Sequence, residues 1–374
     1  MGSPSAPARR TPLGFGEPVP FFCGATDGNP RYSLEATAGR WMVLMAFGAL
    51  SHAASFAAHA EAMAARDLFD DVEAAFFGVS VDGRDRARLQ GAPRGFRYFW
   101  DEDQAICRRL GLTDGVHLEP AIFLIDRAFR IVLAEPIGAA AVVLQRLRAE
   151  LAAEASRSEA PHAPVLMLPR IFEPDLCAEL IAHFEAHQAT ASGFAVDMDG
   201  RTVNAVDASL KRRQDVTIAD AALIAAVEAR LRKRLLPMVK RAFNWQATEI
   251  ERFLICRYGE EDGGFFFAHR DDATAGTAHR KFAVTVNLDA EAYEGGDLRF
   301  REFSPRAYRP PTGGACVFCC SLLHEVTPVT RGARHAFVPF LYDEAGSRVR
   351  RAYLAASGTA APNRRDRRGA RRRG

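Results

Sequence analysis

Ile250-Glu251-Arg252-Phe253-Leu254-Ile255-Cys256-Arg257-Tyr258 opens the part of this chain whose reading decides the fold. Four more apolar segments follow it: Phe282-Ala283-Val284-Thr285-Val286-Asn287-Leu288, Asp297-Leu298-Arg299-Phe300, Ala315 to Cys320, and Arg334 to Tyr342. Each is short, and Gly295-Gly296 and Gly313-Gly314 punctuate them, so they read as strands. Ahead of them, Pro174-Asp175 opens an amphipathic helix with Leu176, Leu180, Ile181 and Phe184 on one side. Asp220 caps a second helix that runs through Ile224, Val227 and Leu231 until Pro237 interrupts it. Helices followed by a run of strands predict a mainly-β jelly roll with flanking helices over residues 164–345.

Upstream the rhythm changes. Residues 13–151 alternate strands and helices: Trp41 to Phe47, a helical stretch from about Ser55 to Asp67, Ala74 to Val81, the hairpin pair Ala121 to Asp126 and Arg130 to Leu133, and a closing helix from Ala139 to Leu151. That order predicts a compact α/β layered domain. Residues 1–12 read as a disordered leader, 152–163 as a linker, and 346–374 as a basic tail without periodicity.

At 374 residues the chain exceeds one typical core, in keeping with two domains. The net charge of +3 is uneven: residues 364–374 hold seven arginines and one aspartate, so the remainder sits near −3. A mildly acidic body argues against a nucleic-acid enzyme with a basic groove, and a block of like charge reads as a solvated tail. No segment has the apolar length of a signal peptide or a membrane span. Seven scattered cysteines are unlike a disulfide framework, and a reducing cytoplasm is the economical location. Cys316 and Cys319 match a C-x-x-C spacing, but inside a strand residues three apart point to opposite faces, so they read as buried small hydrophobes.

The chemistry centres on His269-Arg270-Asp271, His324 and Arg334. Two imidazoles and one carboxylate suit iron(II) and leave open positions on the metal. In an extended segment His269 and Asp271 project to the same side. Taken singly, these residues would pass for solvated loop positions. The spacing of the set, with Pro310-Pro311-Thr312-Gly313-Gly314 ahead of His324, is what singles them out. His335 points to the opposite side of its strand from Arg334 and reads as structural.

Residues of about 165–345 resemble an iron(II)/2-oxoglutarate-dependent oxygenase of the prolyl 4-hydroxylase-like branch. The resemblance rests on the element from Tyr258 to Asp271, on Tyr293-Glu294-Gly295-Gly296-Asp297-Leu298, and on the stretch from His324 through Pro328-Val329 and Gly332 to Arg334. It implies a double-stranded β-helix fold, with iron held by His269, Asp271 and His324. It also implies that Arg334 binds the distal carboxylate of 2-oxoglutarate with help from Tyr258. Many relatives in that family carry lysine at the Arg334 position, and arginine's planar fork fits the same task. The implied reaction uses O₂ and 2-oxoglutarate, releases succinate and CO₂, and hydroxylates a protein side chain, peptide or small molecule. The resemblance also brings ascorbate as a reductant. His279 and Arg280, at the end of the polar stretch Asp272 to Arg280, stand as candidates for the substrate side. That stretch reads as a connecting loop, with a lid as the sharper alternative.

Residues 13–151 resemble the peroxiredoxin/thioredoxin-like family through Gly16 to Phe22, Val43 to Phe47, Gly78 to Asp82 and Phe123 to Asp126. Ser55 stands where that family has its peroxidatic cysteine, and a serine hydroxyl leaves almost no nucleophilic anion at neutral pH. Pro120 matches the place of the cis-proline of thioredoxin folds. The domain is read as a degenerate module that docks a substrate, a partner or the oxygenase domain. The alternatives are a non-catalytic interaction protein and a thiol peroxidase using Cys23 or Cys107.

Overall fold

The computed structural model describes residues 12–156 and 160–357, so the leader, except Pro12, and the arginine block lie outside the described residues. The chain divides into two compact units. One runs up to Pro161 and takes in Arg301–Pro305; the other covers His162–Phe300 and continues from Arg306.

The first unit is built on one five-stranded sheet. Its strands are β1 (Trp41–Gly48), β2 (Ala74–Ser80), β3 (Phe96–Trp100), β4 (Ala121–Ile125) and β5 (Ile131–Pro136), in the order β3-β2-β1-β4-β5. The pairs among β1, β2 and β3 are parallel, whereas β4 and β5 are antiparallel additions. Every residue of β1 and β2 is buried, the pattern of central strands covered on both faces. Helices α1 (Ala53–Ala64) and α2 (Ala140–Ala155) pack on this sheet through Ala58, Ala62, Val143 and Leu147. This is the thioredoxin-like arrangement, with two corrections. Helix α2 runs on into the segment read as linker, and no peptide bond among the described residues is cis, so Pro120 is trans.

Ser55 lies in the first turn of α1, buried, with its hydroxyl donating to the Phe47 carbonyl at 2.6 Å. Cys107 is fully buried and burial pushes its thiol up, while Cys23 is exposed. Neither occupies the Ser55 position.

The second unit begins with β6 (Leu166–Leu168) and α3 (Pro174–Glu185), which opens at Pro174 as the sequence indicates. A short strand β7 (Thr190–Ala191), the hairpin β8 (Phe194–Met198) and β9 (Arg201–Ala205), and strands β10 (Lys211–Arg212) and β11 (Gln214–Thr217) follow. Asp220 caps α4 (Ala221–Arg230), accepting from the Ala222 and Leu223 N–H groups. Pro237 does not end this helical run. A π-turn over Leu231–Leu235 precedes it and α5 (Leu236–Phe243) continues, with the proline in its first turn.

The remaining strands are β12 (Glu249–Glu251), β13 (Leu254–Gly259), β14 (Phe265–His269), β15 (Phe282–Asn287), β16 (Tyr293–Gly295), β17 (Leu298–Arg299), β18 (Ala307–Tyr308), β19 (Ala315–Cys319), β20 (His324–Val326), β21 (Val329–Phe337) and β22 (Phe340–Tyr342). The segment expected as one strand from Ile250 to Tyr258 breaks at Arg252, whose φ of 72° turns the chain between β12 and β13. The larger sheet follows the path β12-β22-β15-β21-β13-β11-β7, with β19 beside β15, β6 beside β19 and β16 beside β21; the smaller follows β10-β14-β20-β17-β18. These two sheets are the jelly roll. Helices α3 to α5 cover the larger one through Leu180, Val227 and Val239, packed with Ile255, Val286 and Phe337. A final helix, α6 (Glu344–Ala356), occupies the start of the region expected to be a tail; Asp343 caps it by accepting from the Gly346 N–H.

Candidate metal and cosubstrate site

The smaller sheet brings the two histidines together. His269 ends β14 and His324 starts β20, and they are direct partners across this antiparallel pair. The register slips between Phe266 and His269, so three steps on β14 match two on β20, from Val326 to His324. That bulge turns His269 to the face that His324 occupies. Asp271 follows two residues on, its backbone N–H held by the Cys320 carbonyl at 2.9 Å. Its carboxylate faces both rings, with Oδ1 3.6 Å from His269 Nε2 and Oδ2 3.3 Å from His324 Nε2. One atom from each of the three lies within 4.8 Å of the others, a spacing that can hold one metal ion.

Both imidazoles are oriented from behind. His269 Nδ1 meets the Phe267 carbonyl at 2.8 Å and His324 Nδ1 meets the Leu322 carbonyl at 3.0 Å. Donation from Nδ1 to a carbonyl fixes the tautomer that leaves Nε2 as a lone-pair donor, the arrangement usual for metal-ligating histidine. Phe266 stacks on the His269 ring and Phe318 packs edge-on to His324. Burial, then the neighbouring His324, bring the His269 imidazole down to about 4. Burial alone would raise the Asp271 carboxyl, but His324 and then His269 outweigh it and hold it well below the ordinary carboxylate range. At neutral pH the set is therefore a carboxylate with a neutral His269 donor, as metal binding requires.

Arg334 comes from the larger sheet. It sits on β21 directly opposite Tyr258 on β13 and is 2% exposed. Its Nη2 donates to Thr285 Oγ1 at 2.9 Å and its Nε to Asn287 Oδ1 at 3.3 Å, while its Nη1 is buried with no hydrogen-bond partner. The Tyr258 ring lies 5.4 Å from the guanidinium carbon. A narrow cavity of about 70 Å³ between the two sheets is lined by Arg334, Tyr258 and Thr285 on one side and by His269, Asp271 and His324 on the other. An arginine fork with one nitrogen left over, across a small cavity from a two-histidine, one-carboxylate set, fits a dicarboxylate cosubstrate bound next to a metal.

The sequence reading also named His279 and Arg280 on the substrate side, and the structure separates them. Arg280 lines a larger cavity of about 300 Å³ that also contains His269 and Asp271. His279 turns inward, 2% exposed, with its Nε2 2.8 Å from Glu251 Oε2. It is a partner of the half-buried Glu251 carboxylate, not a lining residue. The Asp272 to Arg280 segment is tied down: the Gly276 N–H donates to Thr202 Oγ1 at 2.7 Å and the Ala275 N–H to Asp197 Oδ2 at 3.1 Å. Both acceptors lie in the β8–β9 hairpin, so this is an anchored turn, not a lid. His335 bonds Asp289 Oδ2 at 2.6 Å, on the side of its strand away from Arg334.

Sequence reasoning missed Thr285 and Asn287. Their signal was available, since both are polar at alternate positions of an otherwise apolar strand and so share one face. It also missed Lys211 and Arg252, which line both cavities.

Known proteins resemble each unit. Residues 253–342 match the 2OG-Fe(II) oxygenase superfamily, and residues 15–134 match the AhpC/TSA family. A PKHD-type hydroxylase of Klebsiella pneumoniae is 32% identical over 174 residues, covering 44% of this chain and 74% of that protein. A PKHD-type hydroxylase of Maricaulis maris is 29% identical over 141 residues, covering 37% of this chain and 63% of that protein. Among solved structures, a viral collagen prolyl hydroxylase from Paramecium Bursaria Chlorella virus-1 aligns with 48% of this chain and 97% of its own, at 16% identity and a TM-score of 0.36. Peroxiredoxin Q of Xanthomonas campestris aligns with 34% of this chain and 90% of its own, at 24% identity and a TM-score of 0.30. Among the described residues no helix is long and apolar enough to cross a membrane.

Proposed function

The chain belongs to the 2OG-Fe(II) oxygenase superfamily, and from that premise we propose that it is a hydroxylase in which His269, Asp271 and His324 hold the iron and Arg334 holds the distal carboxylate of 2-oxoglutarate. The observation that carries this reading is the pairing across one cavity of three converging ligand atoms with a buried guanidinium that has a nitrogen to spare. Iron(II) and 2-oxoglutarate, when bound, turn O₂ into an oxidant that hydroxylates a substrate C–H bond, with release of succinate and CO₂.

The protein's own residues do the rest. The Phe267 and Leu322 carbonyls keep both imidazoles facing the metal position. Thr285 and Asn287 fix the Arg334 fork so that little freedom is lost when a carboxylate arrives. Tyr258 walls the guanidinium on the protein side. Phe266, Leu298, Phe318 and Val326 line the cavity and keep water from the reacting centre.

The substrate is a peptide, a protein side chain or a small molecule, and ascorbate serves as the reductant that keeps the iron ferrous. The reaction takes place in the cytoplasm. The first unit performs no thiol chemistry at Ser55, whose hydroxyl is committed to the Phe47 carbonyl, and it acts as a docking module.

The test is release of succinate from 2-oxoglutarate by the full chain. Chelation with EDTA should abolish it and added iron(II) should restore it. Peroxide consumption that needs Cys23 or Cys107, with no iron-dependent succinate, would sink the reading in favour of a thiol peroxidase.

A further inference from the structure

Beside the ligand set lies the 300 Å³ cavity, and its charge is unbalanced. Lys211 and Arg252 line both this cavity and the narrow one that reaches Arg334. Lys211 is 5% exposed. Its Nζ donates to the Gly193 carbonyl at 2.6 Å and lies 4.3 Å from the centre of the Phe266 ring, the ring that also stacks on His269. Among the described residues that carbonyl is its one hydrogen-bond acceptor.

The carboxylates nearby bond other groups, although Asp215 Oδ1 is buried without a hydrogen-bond partner. Asp215 Oδ2 is 2.7 Å from Arg213 Nη2 and also accepts from the Ser192 hydroxyl at 2.5 Å, which leaves Arg252 at 4.0 Å. Glu251 holds His279 at 2.8 Å and Arg280 at 3.3 Å. Lys211, Arg213, Arg252 and Arg280 are thus four basic groups beside Asp215 and Glu251, and the third carboxylate, Asp271, belongs to the metal position. 2-Oxoglutarate does not supply the missing charge here, since Arg334 and the metal position take its two ends in the reading above.

Burying charge is costly unless an opposite charge completes it, and a buried lysine answers by giving up its proton. Burial, then Arg213, push the Lys211 ammonium down to about 6; burial, then Arg213, bring the Arg252 guanidinium down to about 10. Arg252 also holds a left-handed backbone conformation, φ 72°, that a non-glycine residue adopts only under constraint. A cluster kept short of anions, at a strained turn beside the reacting centre, is built to receive one.

We propose that the substrate of this oxygenase is a carboxylate, seated by Lys211 and Arg252 in the cavity beside His269 and Asp271. This rests on the oxygenase reading and narrows it to acids: a small free acid, or a peptide presenting a carboxylate. A cavity of this volume takes a molecule the size of an N-acyl amino acid or the end of a peptide. Arg213, Asp215, Arg252 and Cys256 are the charged and titratable groups that act on Lys211. An arriving carboxylate adds the opposite charge and restores the ammonium, so binding takes up a proton near neutral pH.

The test uses matched acids and amides: N-acetyl-L-proline with N-acetyl-L-prolinamide, N-acetyl-L-leucine with its amide, and a prolyl peptide with a free or an amidated end. Each is titrated calorimetrically into the full chain loaded with manganese(II) and 2-oxoglutarate. At least one acid should bind more than about tenfold tighter than its amide, with proton uptake at pH 7 read from buffers of different ionisation enthalpy. Which pair discriminates separates a free acid from a peptide end. Lys211→Met should remove the gap, Lys211→Arg should keep it, and Lys240→Met, on the exposed face of α5, serves as the control. Equal binding of acid and amide by the wild-type chain, including binding of neither, overturns the inference. So does a gap that survives in Lys211→Met, or a Lys211→Met chain that loses affinity for 2-oxoglutarate while still preferring the acid. If Lys211→Met does not fold, Arg252→Met and the wild-type comparison decide. A wild-type chain that binds acids but never releases succinate with iron would instead remove the oxygenase reading.

Discussion

In Asp271→Ala, iron-dependent succinate release is expected to fall by at least about 100-fold, together with the iron content of the purified chain. Removing a group that merely orients a ligand typically costs ~10–100-fold in metal affinity, and a lost ligand costs more. Asp271 matters beyond its share of the ligand count. It is the single carboxylate of the set and the group that both Nε2 atoms face. Without it the site offers two neutral imidazoles and no negative charge to offset a divalent ion. The fold should survive, because no unpaired buried charge is left behind, so the thermal transition of the apoprotein is the accompanying control. Asp271→Asn keeps an oxygen donor but not the charge and should fall between the wild-type chain and Asp271→Ala. An Asp271→Ala chain with undiminished metal content and turnover would remove this residue from the metal site.

Arg334→Met should act on the cosubstrate instead. Truncating one partner of a buried hydrogen-bonded charge pair costs roughly 2–5 kcal/mol, which is about 30-fold or more in the apparent affinity for 2-oxoglutarate. Iron binding should be retained, because the ligands stand on the other sheet. The apoprotein should lose about 1–3 kcal/mol of stability, because Met leaves the buried Asn287 Oδ1 without its donor. Arg334→Lys should restore part of the affinity, as a point charge without the fork. Equilibrium binding of 2-oxoglutarate to the manganese-loaded variants measures both. An unchanged affinity in Arg334→Met would disprove the assignment.

The parts of the site that were legible in the sequence are those carried by residue type and short spacing. His269 and Asp271 lie two apart, and strand alternation puts Arg334 and His335 on opposite sides, where one lines the cavity and the other bonds Asp289. The same alternation separates buried Cys316 from the more exposed Cys319. What was hidden is what depends on distant pairing. His279 faces inward because Glu251, 28 residues away in sequence, holds it there, and nothing local to His279 announces that partner. Lys211 and Arg252 come from two separate strand ends and share a cavity only after the sheets form. Strands of two or three residues, such as β10, β17 and β20, are too short to carry a period. Helix α6 is rich in arginine, with few buried positions, so its sequence looks like the tail that follows it.

The bulge on β14 gives the site a dependence on arithmetic parity. Because pleated strands present alternate residues, pairing Phe266 with Val326 without the extra residue would bring Ala268, not His269, opposite His324. The histidine would then project to the far side of the sheet, although every residue of the site was still encoded. In this chain the distance from Phe266 to His269, counted as odd or even, is as much a determinant of metal binding as the histidine itself. A one-residue deletion between Phe266 and His269 should therefore abolish metal binding although all three ligand residues remain.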